Sequence, residues 1–244
     1  MERKDFLKTG VGIFGLGTVL LDSCKKEAVQ KAIISQEESA AAAAGCVVTP
    51  KESVGPFPYP GGEINNPLQR VDVTEGQAGM PIVFTFTVVN TNNNCLVVPN
   101  ARVDIWHCNK DGYYSGYGNQ TGGTFGLRDY TGETWLRGYQ VTDVNGIAIF
   151  NSIYPGWYAG RATHIHLEVF INNKLKKPAQ LAFPEVTSNK VHVMPLYAAH
   201  GLNTKTNLAD GVFGNSATDL ANETFTVIKN GNTLFATYTI GIAL

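Results

Sequence analysis

The chain has 244 residues, which is enough for one large domain or two small ones. Its formal net charge is −1 and its sequence contains no basic stripe, which argues against a nucleic-acid partner. Only 16% of the residues are charged, whereas glycine and aromatic residues are plentiful, a composition typical of short strands joined by turns.

Residues 1–24 have the pattern of an export signal. Three basic residues lie among the first eight, and the apolar run over residues 11–21 is too short to span a bilayer unaided. The ending Leu-Asp-Ser-Cys resembles a bacterial lipobox, which predicts lipidation of Cys24 and anchoring to the cell envelope, on its periplasmic or surface face. Residues 3–8 resemble a degenerate twin-arginine signal, so the export route stays open. The alternative is a buried N-terminal helix.

Residues 25–45 are expected to form a flexible tether. They carry charges followed by a polyalanine run, without strand alternation and without aromatic residues. Polyalanine has a high helix propensity, so a short helix is an open alternative. The sequence therefore predicts one folded domain over residues 46–244, joined to the membrane only through the N-terminal lipid anchor.

The domain contains three cysteines, Cys46, Cys95 and Cys108. An exported chain can carry disulfides, and an odd number is most simply one bridge plus one free thiol. Cys46 and Cys95 lie in irregular, polar stretches, whereas Cys108 follows an apolar strand. We therefore favour a Cys46–Cys95 disulfide. A zinc site built from all three is the less favoured alternative, since the spacing contains no Cys-x-x-Cys.

Apolar alternation and turn residues predict a series of short strands. The predicted strands cover residues 81–90, 101–108, 136–142, 147–153, 162–170 and 175–183, with a closing hairpin of 225–228 and 234–240. The stretch from 184 to about 220 is polar and shows no strand pattern. This spacing predicts an all-β fold, a β-sandwich with long loops.

The predicted strand 162–170 carries a His-x-His pair. Its apolar residues point to one face, whereas His164, His166 and Glu168 point to the other. With a rise of about 3.3 Å per residue, the two histidine α-carbons lie roughly 7 Å apart, so both rings can reach one metal ion. A preceding Pro-Gly turn directs Tyr158 towards the same place. Taken alone, the pattern fits an exposed polar face equally well.

Three longer segments carry a resemblance to a known family. They read TPKESVGPF (49–57), VDIWHCNKDGYYSG (103–116) and LRGYQVTDVNGIAIFNSIYPGWYAGRATHIH (136–166). Together they resemble the intradiol ring-cleavage dioxygenases, in particular their exported single-chain branch, over about residues 46–244. The resemblance implies a non-haem Fe(III) enzyme that takes a small aromatic diol and O2, and opens the ring between its two hydroxyl-bearing carbons to a muconate-type product.

The resemblance also implies the site residues. The metal ligands are Tyr114, Tyr158, His164 and His166. Tyr158 additionally accepts a substrate proton, while Arg161 and Gln180 stabilise negative charge beside the ring. Ferric iron is a hard ion that favours anionic oxygen, and it removes the proton of a coordinated phenol. A competing Fe(II) site of two histidines and a carboxylate, from Glu168 or Asp104, would leave both tyrosines unexplained.

Other residues have weaker assignments. Thr49, Pro56 and Phe57 are expected at the pocket wall, and Tyr197 is a further candidate for it, whereas His107 is interpreted as structural. Because Arg161 is the one cation that the motifs bring to the site, catechol-like or hydroxyquinol-like diols are favoured over carboxylate-bearing ones. The alternative function is a catalytically inactive extracellular sandwich that binds aromatic ligands or carbohydrate. Self-association into a homo-oligomer stays open.

Overall fold

The computed structural model of the protein describes residues 46–66 and 68–244. Cys24, the export signal 1–24 and the tether 25–45 lie outside the described residues, so lipid anchoring and export remain predictions. Among the residues that are described, no helix has the length and hydropathy needed to cross a membrane.

The described chain is built from nine strands and two short helices, with isolated 3-10 turns at Glu63–Asn65 and Phe213–Asn215. The strands are β1 (Pro81–Asn90), β2 (Leu96–Val97), β3 (Arg102–Trp106), β4 (Arg137–Val141), β5 (Ile147–Ile153), β6 (His164–Ile171), β7 (Lys174–Ala182), β8 (Thr226–Asn230) and β9 (Thr233–Ile242). The helices are α1 (Glu185–His192) and α2 (Ala217–Ala221).

The strands form two sheets. In the first, the order is β2-β1-β9-β8, and β5 also pairs with β1. The second has the order β4-β3-β6-β7 and is antiparallel throughout. Apolar side chains from both sheets meet in one core that includes Phe84, Phe150, Leu167 and Leu181. This two-layer, mostly β arrangement is consistent with the predicted β-sandwich.

Alternation explains why these segments form strands. In β1 every second side chain from Ile82 to Val88 is buried in the core, while those between are partly or fully exposed. β6 is buried on both faces instead, because one face joins the core and the other carries the histidines. The predicted strands are confirmed, with ends within two residues of those observed.

The polar stretch from 184 to about 220 contains α1 and the start of α2, which the sequence did not predict. α1 has the sequence EVTSNKVH and buries only Ser188, Val191 and His192, so it shows no apolar helical stripe. α2 depends on a capping contact, in which the Ser216 hydroxyl accepts from the Asp219 amide at 2.9 Å. The two-residue β2 was also missed, because it is too short to show alternation.

Residues 46–66, which we call the N-terminal arm, pack along the domain. Cys46 and Cys95 form a disulfide with their α-carbons 5.7 Å apart, and Cys108 is a buried free thiol, so the three cysteines do not form a zinc site. Thr49 was expected at the pocket wall. It is buried at β9 instead, where its hydroxyl accepts from the Gly241 amide at 3.0 Å.

Candidate metal centre

Four ring side chains converge at one end of the second sheet. His164 is the first residue of β6, and His166 lies two residues further on the same face. Tyr114 comes from the turn that follows β3, and Tyr158 from the loop between β5 and β6. Neighbouring strands support the pair, since His166 lies in register with Trp106 of β3 on one side and with β7 on the other.

The donor atoms of these rings point at one another. The Tyr114 oxygen lies 3.0 Å from Nε2 of His166 and 3.5 Å from Nε2 of His164. The two Nε2 atoms are 3.2 Å apart, and the Tyr158 oxygen is 3.5 Å from Nε2 of His164. The centre therefore brings together all four residues that the resemblance implied as ligands.

These separations fit a shared metal ion. Two ligands bound at about 2.0–2.1 Å to a first-row metal lie roughly 2.9–3.4 Å apart in octahedral or tetrahedral geometry. The observed values of 3.0–3.5 Å fall in or next to that range. The donor set of two phenols and two imidazoles suits an ion that accepts both oxygen and nitrogen.

Carboxylates are not part of the centre. In the described part of the chain, no three His, Cys, Asp or Glu side chains are grouped to hold a metal ion. Asp104 forms an ion pair with Arg102 at 2.7 Å, and Glu168 lies among the acidic side chains of Glu63 and Asp104. The competing site of two histidines and a carboxylate is therefore not supported, and a metal held here needs the tyrosines.

The two imidazoles are oriented by their surroundings. Nδ1 of His164 donates to the Ala162 carbonyl at 2.6 Å, which leaves the lone pair of Nε2 facing the centre. The His166 ring stacks on Trp106, with 5.1 Å between centroids and 3° between planes. Gly55 of the arm packs against the same ring, since a Cβ placed there would lie 2.6 Å from Cε1 of His166.

Burial sets the protonation states. Burial, followed by the Arg161 charge, lowers the pKa of His164 to about 3, and burial lowers the pKa of His166 well below 6.5. Both imidazoles are therefore neutral at pH 7. Burial raises the pKa of Tyr114 well above 10 and also raises that of Tyr158, where Arg161 opposes the rise. Two tyrosinates can form here only if a bound cation compensates their charge.

The N-terminal arm covers the centre. Phe57 stacks on Tyr114 with centroids 4.6 Å apart and meets the edge of Tyr158 at 6.0 Å. Tyr117 holds the arm, because its hydroxyl donates to the Pro58 carbonyl at 2.6 Å. The expected position of Phe57 beside the site is therefore observed, whereas Pro56 is exposed. The arm shields the donor atoms from water.

Arg161 and Gln180 lie beside Tyr158, the less buried of the two tyrosines. The Arg161 guanidinium donates to Gln180 Oε1 at 2.7 Å and approaches the Tyr158 hydroxyl at 3.3 Å. Gln180 in turn donates to the Ser53 carbonyl at 2.9 Å, which ties β7 to the arm. A third partner, Asp210, accepts from Nε of Arg161 at 2.9 Å.

Sequence reasoning missed several supporting residues. Asp210 lies in the polar region for which no pattern was found, and the role of Gly55 depends on a ring 111 positions away. Arg137 is fully buried and donates to the Ser115 carbonyl at 2.7 Å, so it fixes the turn that presents Tyr114. Each of these contacts joins distant parts of the chain and leaves no local signal.

Two other candidates lie outside the centre. His107 is buried, with Nε2 2.7 Å from the Ser152 hydroxyl and Nδ1 2.8 Å from the Cys108 carbonyl, so the structural interpretation is confirmed. Tyr197 was a candidate for the pocket wall. It is a core residue instead, donating to the Tyr154 carbonyl at 2.7 Å and accepting from the Met80 amide at 2.9 Å.

Comparison with known proteins agrees with the resemblance found in the sequence. A family model described as "Dioxygenase" matches residues 54–196, which is more than half of the chain. That stretch includes Tyr114, Tyr158, His164 and His166. A comparison with curated protein sequences finds no significant match.

Solved structures share the fold. An intradiol ring-cleavage dioxygenase from Tetranychus urticae is 25% identical, with a TM-score of 0.71 over 81% of this chain and 95% of that chain. The dioxygenase domain of a carbohydrate-binding fusion protein from Streptomyces sp. SirexAA-E is 20% identical, with a TM-score of 0.58 over 81% and 99%. A 3-chlorocatechol 1,2-dioxygenase from Rhodococcus opacus 1CP is 18% identical, with a TM-score of 0.55 over 85% and 77%. The last two show similarity of fold alone.

Proposed function

The chain belongs to the intradiol ring-cleavage dioxygenase family, and we propose that it uses ferric iron to cleave a catechol-type diol. The observation that carries the proposal is the convergence of two phenol oxygens and two imidazole nitrogens within 3.0–3.5 Å of one another. Membership of the family places the chain in the dioxygenase enzyme class. Beyond family membership, we propose the metal, the class of substrate and the incorporation of both O2 atoms into the product.

In this proposal Tyr114, Tyr158, His164 and His166 hold the iron. When bound, ferric iron supplies coordination positions for both hydroxyl oxygens of the diol and draws electron density from the ring. The two tyrosinates and the neutral imidazoles suit a hard, highly charged ion. Both atoms of O2 end in the ring-opened, muconate-type product.

The two tyrosines have different roles. Tyr114 is fully buried between Phe57 and His166, so it would hold the iron without moving. Tyr158 is only partly buried and has a guanidinium nitrogen 3.3 Å from its oxygen. We assign to the Tyr158 oxygen the acceptance of one proton from a diol hydroxyl, because Tyr158 is the less buried of the two tyrosines and would be the one within reach of an entering diol.

Arg161 acts next to this proton transfer. Its guanidinium, fixed by Gln180, donates towards negative charge that develops on the substrate during ring opening. The charge of Arg161 is already paired with Asp210, so it is a poor partner for a substrate carboxylate. This pairing supports unsubstituted or hydroxylated catechols as substrates, in preference to carboxylate-bearing ones.

The test is a ring-cleavage assay with ferric-loaded protein under isotopically labelled O2. We expect mass spectrometry to find two labelled oxygens in a muconate-type acid formed from catechol or hydroxyquinol. Tyr158→Phe is expected to lower the rate by about 100-fold or more, since general acid–base groups contribute about 10²–10⁴-fold. Binding of the diol without ring opening would contradict the proposal and favour the inactive binding sandwich.

We also propose that the chain is exported and lipid-anchored through Cys24. The lipobox-like ending at residues 21–24 supports this, and the Cys46–Cys95 disulfide suits an oxidising compartment. Mass spectrometry of the mature N-terminus is expected to find a lipid-modified Cys24. Cells expressing Cys24→Ser are expected to yield a soluble protein, whereas the parent chain is expected in the membrane fraction. A parent chain that keeps its first residues would contradict the proposal.

A further inference from the structure

Asp210 is a buried carboxylate outside the segment that defines the family match. It lies after α1 and beyond residue 196, where the family match ends. Its side chain is fully buried, and that of its ion-pair partner Arg161 is 16% exposed. Burial alone would raise the pKa of Asp210, but hydrogen bonds from Arg161 and from backbone amides hold that pKa below its usual value.

One oxygen of this carboxylate binds two groups at the centre. Oδ2 accepts from Nε of Arg161 at 2.9 Å and from the backbone amide of Ala162 at 2.6 Å. The other oxygen, Oδ1, accepts from the Val212 amide at 2.8 Å, which fixes the carboxylate in its own loop. Charge-assisted hydrogen bonds of this kind are stronger than neutral ones.

Each of the two groups leads to the metal centre. Arg161, held at Nε, directs its remaining nitrogens to Gln180 and to the Tyr158 oxygen, at 2.7 and 3.3 Å. Ala162, held at its amide, presents its carbonyl to Nδ1 of His164 at 2.6 Å. The Asp210 carboxylate is therefore linked through two successive hydrogen bonds to the Tyr158 oxygen, the proposed proton acceptor. A second path of two hydrogen bonds links it to His164, a proposed iron ligand.

We propose that Asp210 is a positioning residue, which holds Arg161 and the Ala162–His164 segment in the geometry that ring cleavage needs. The inference rests on the proposed function. Asp210 touches neither substrate nor metal, so it acts through Arg161 and the strand start. The C-terminal region, for which the sequence showed no pattern, thereby supplies part of the reaction machinery.

The chain contains a matched control pair. Asp104 and Arg102 also form a buried ion pair, with side chains 1% and 15% exposed, against 0% and 16% for Asp210 and Arg161. Arg102 bonds Asp104 through two nitrogens, each at 2.7 Å. Each substitution takes the carboxylate away from a mostly buried guanidinium, so Asp104→Asn controls for the loss of such an ion pair away from the centre. Only the Asp210 pair contacts the centre.

The experiment compares Asp210→Asn with Asp104→Asn in ferric-loaded protein. We expect Asp210→Asn to lower kcat by about 10–100-fold with a smaller change in KM, the size typical of residues that orient metal ligands. Asp104→Asn is expected to lower the melting temperature with kcat unchanged. Equal kcat values for Asp210→Asn and the parent protein would overturn the inference.

A double-mutant cycle shows whether Asp210 acts through Arg161. In the Arg161→Leu background, adding Asp210→Asn is expected to lower kcat by less than about threefold, because Arg161 is gone and the amide oxygen introduced at position 210 can still accept from the Ala162 amide. Removing both partners also avoids an unpaired buried charge, so this variant keeps the test open if Asp210→Asn alone does not fold. If the two losses in kcat multiply in the double variant, Asp210 does not act through Arg161, and the inference is overturned.

A measurement on metal-free protein separates this inference from the proposed function. Heteronuclear NMR can follow hydrogen exchange at Nε of Arg161, which we expect to accelerate about tenfold or more in Asp210→Asn, with Arg102 as the unchanged reference. A parent protein that protects this proton but cleaves no diol overturns the proposed function. Unchanged exchange in Asp210→Asn overturns the contact on which the positioning role depends.

Discussion

At the residue scale, Gly55 gives the sharpest test of how the centre is packed. Its φ of +75° favours glycine, and a Cβ there would lie 2.6 Å from Cε1 and 3.2 Å from Nδ1 of His166. A side chain at this position has to displace the imidazole that the centre needs. Gly61 of the same arm has a φ of +90° but no atom within 4 Å of its would-be Cβ.

Gly55→Ala is therefore expected to weaken iron binding by about 10–100-fold, the effect usual when a ligand loses its orientation. Gly61→Ala introduces a similar backbone strain without the collision, so its iron affinity is expected to match that of the parent protein. Competition with a chelator measures both. Parent-like affinity in Gly55→Ala would show that His166 does not bind the metal in this position.

At the element scale, the disulfide holds the arm to the first sheet. Cys46 and Cys95 are 49 positions apart, and a bridge that closes a loop of this size contributes about 2–4 kcal/mol to the free energy of unfolding. We expect the double substitution Cys46→Ser/Cys95→Ser to lower the denaturation midpoint accordingly. A reductant is expected to destabilise the parent protein and to leave the double variant unaffected.

The same variant is expected to keep its iron site under native conditions. The arm has several further attachments, among them the donation from Lys177 to the Thr49 carbonyl at 2.5 Å and from Gln180 to the Ser53 carbonyl at 2.9 Å. Parent-like iron affinity in Cys46→Ser/Cys95→Ser would agree with this arrangement. Loss of iron on reduction would mean that the bridge alone keeps the arm over the centre.

Sequence patterns predicted the elements of this fold wherever local chemistry determines them. β1 and β5 were predicted with their observed bounds, because core-facing and outward-facing positions alternate along both segments. The His-x-His pair on β6 was placed on one face for the same reason. α1 escaped prediction because its face is mostly polar, and Asp210 escaped because its partner, Arg161, is 49 positions away.

At the scale of the whole molecule, the N-terminal arm meets the segment between α2 and β8 at a pair of carboxyl groups. Glu223 is fully buried and faces Glu52 of the arm, and no N–H donor reaches its oxygens among the described residues. Burial, followed by the charge of Glu52, raises the pKa of Glu223 from 4.5 to about 8. The folded protein therefore holds a proton that the unfolded chain releases.

This pair makes stability depend on pH. Because the pKa of Glu223 is higher in the folded state, its contribution is fully present below about pH 4.5 and is lost as the pH rises through about 8. We expect denaturant titrations to show a free energy of unfolding that falls over this window, and a shallower fall in Glu223→Gln. Identical pH profiles for the two proteins would contradict the assignment.

The central claim is that Tyr114 and Tyr158 bind ferric iron together with His164 and His166. The most direct measurement is the visible absorption spectrum of ferric-loaded protein before and after anaerobic addition of catechol. We predict a tyrosinate-to-iron charge-transfer band that shifts to longer wavelength with catechol and is weakened in Tyr158→Phe. A protein that stays colourless after ferric reconstitution would contradict the claim.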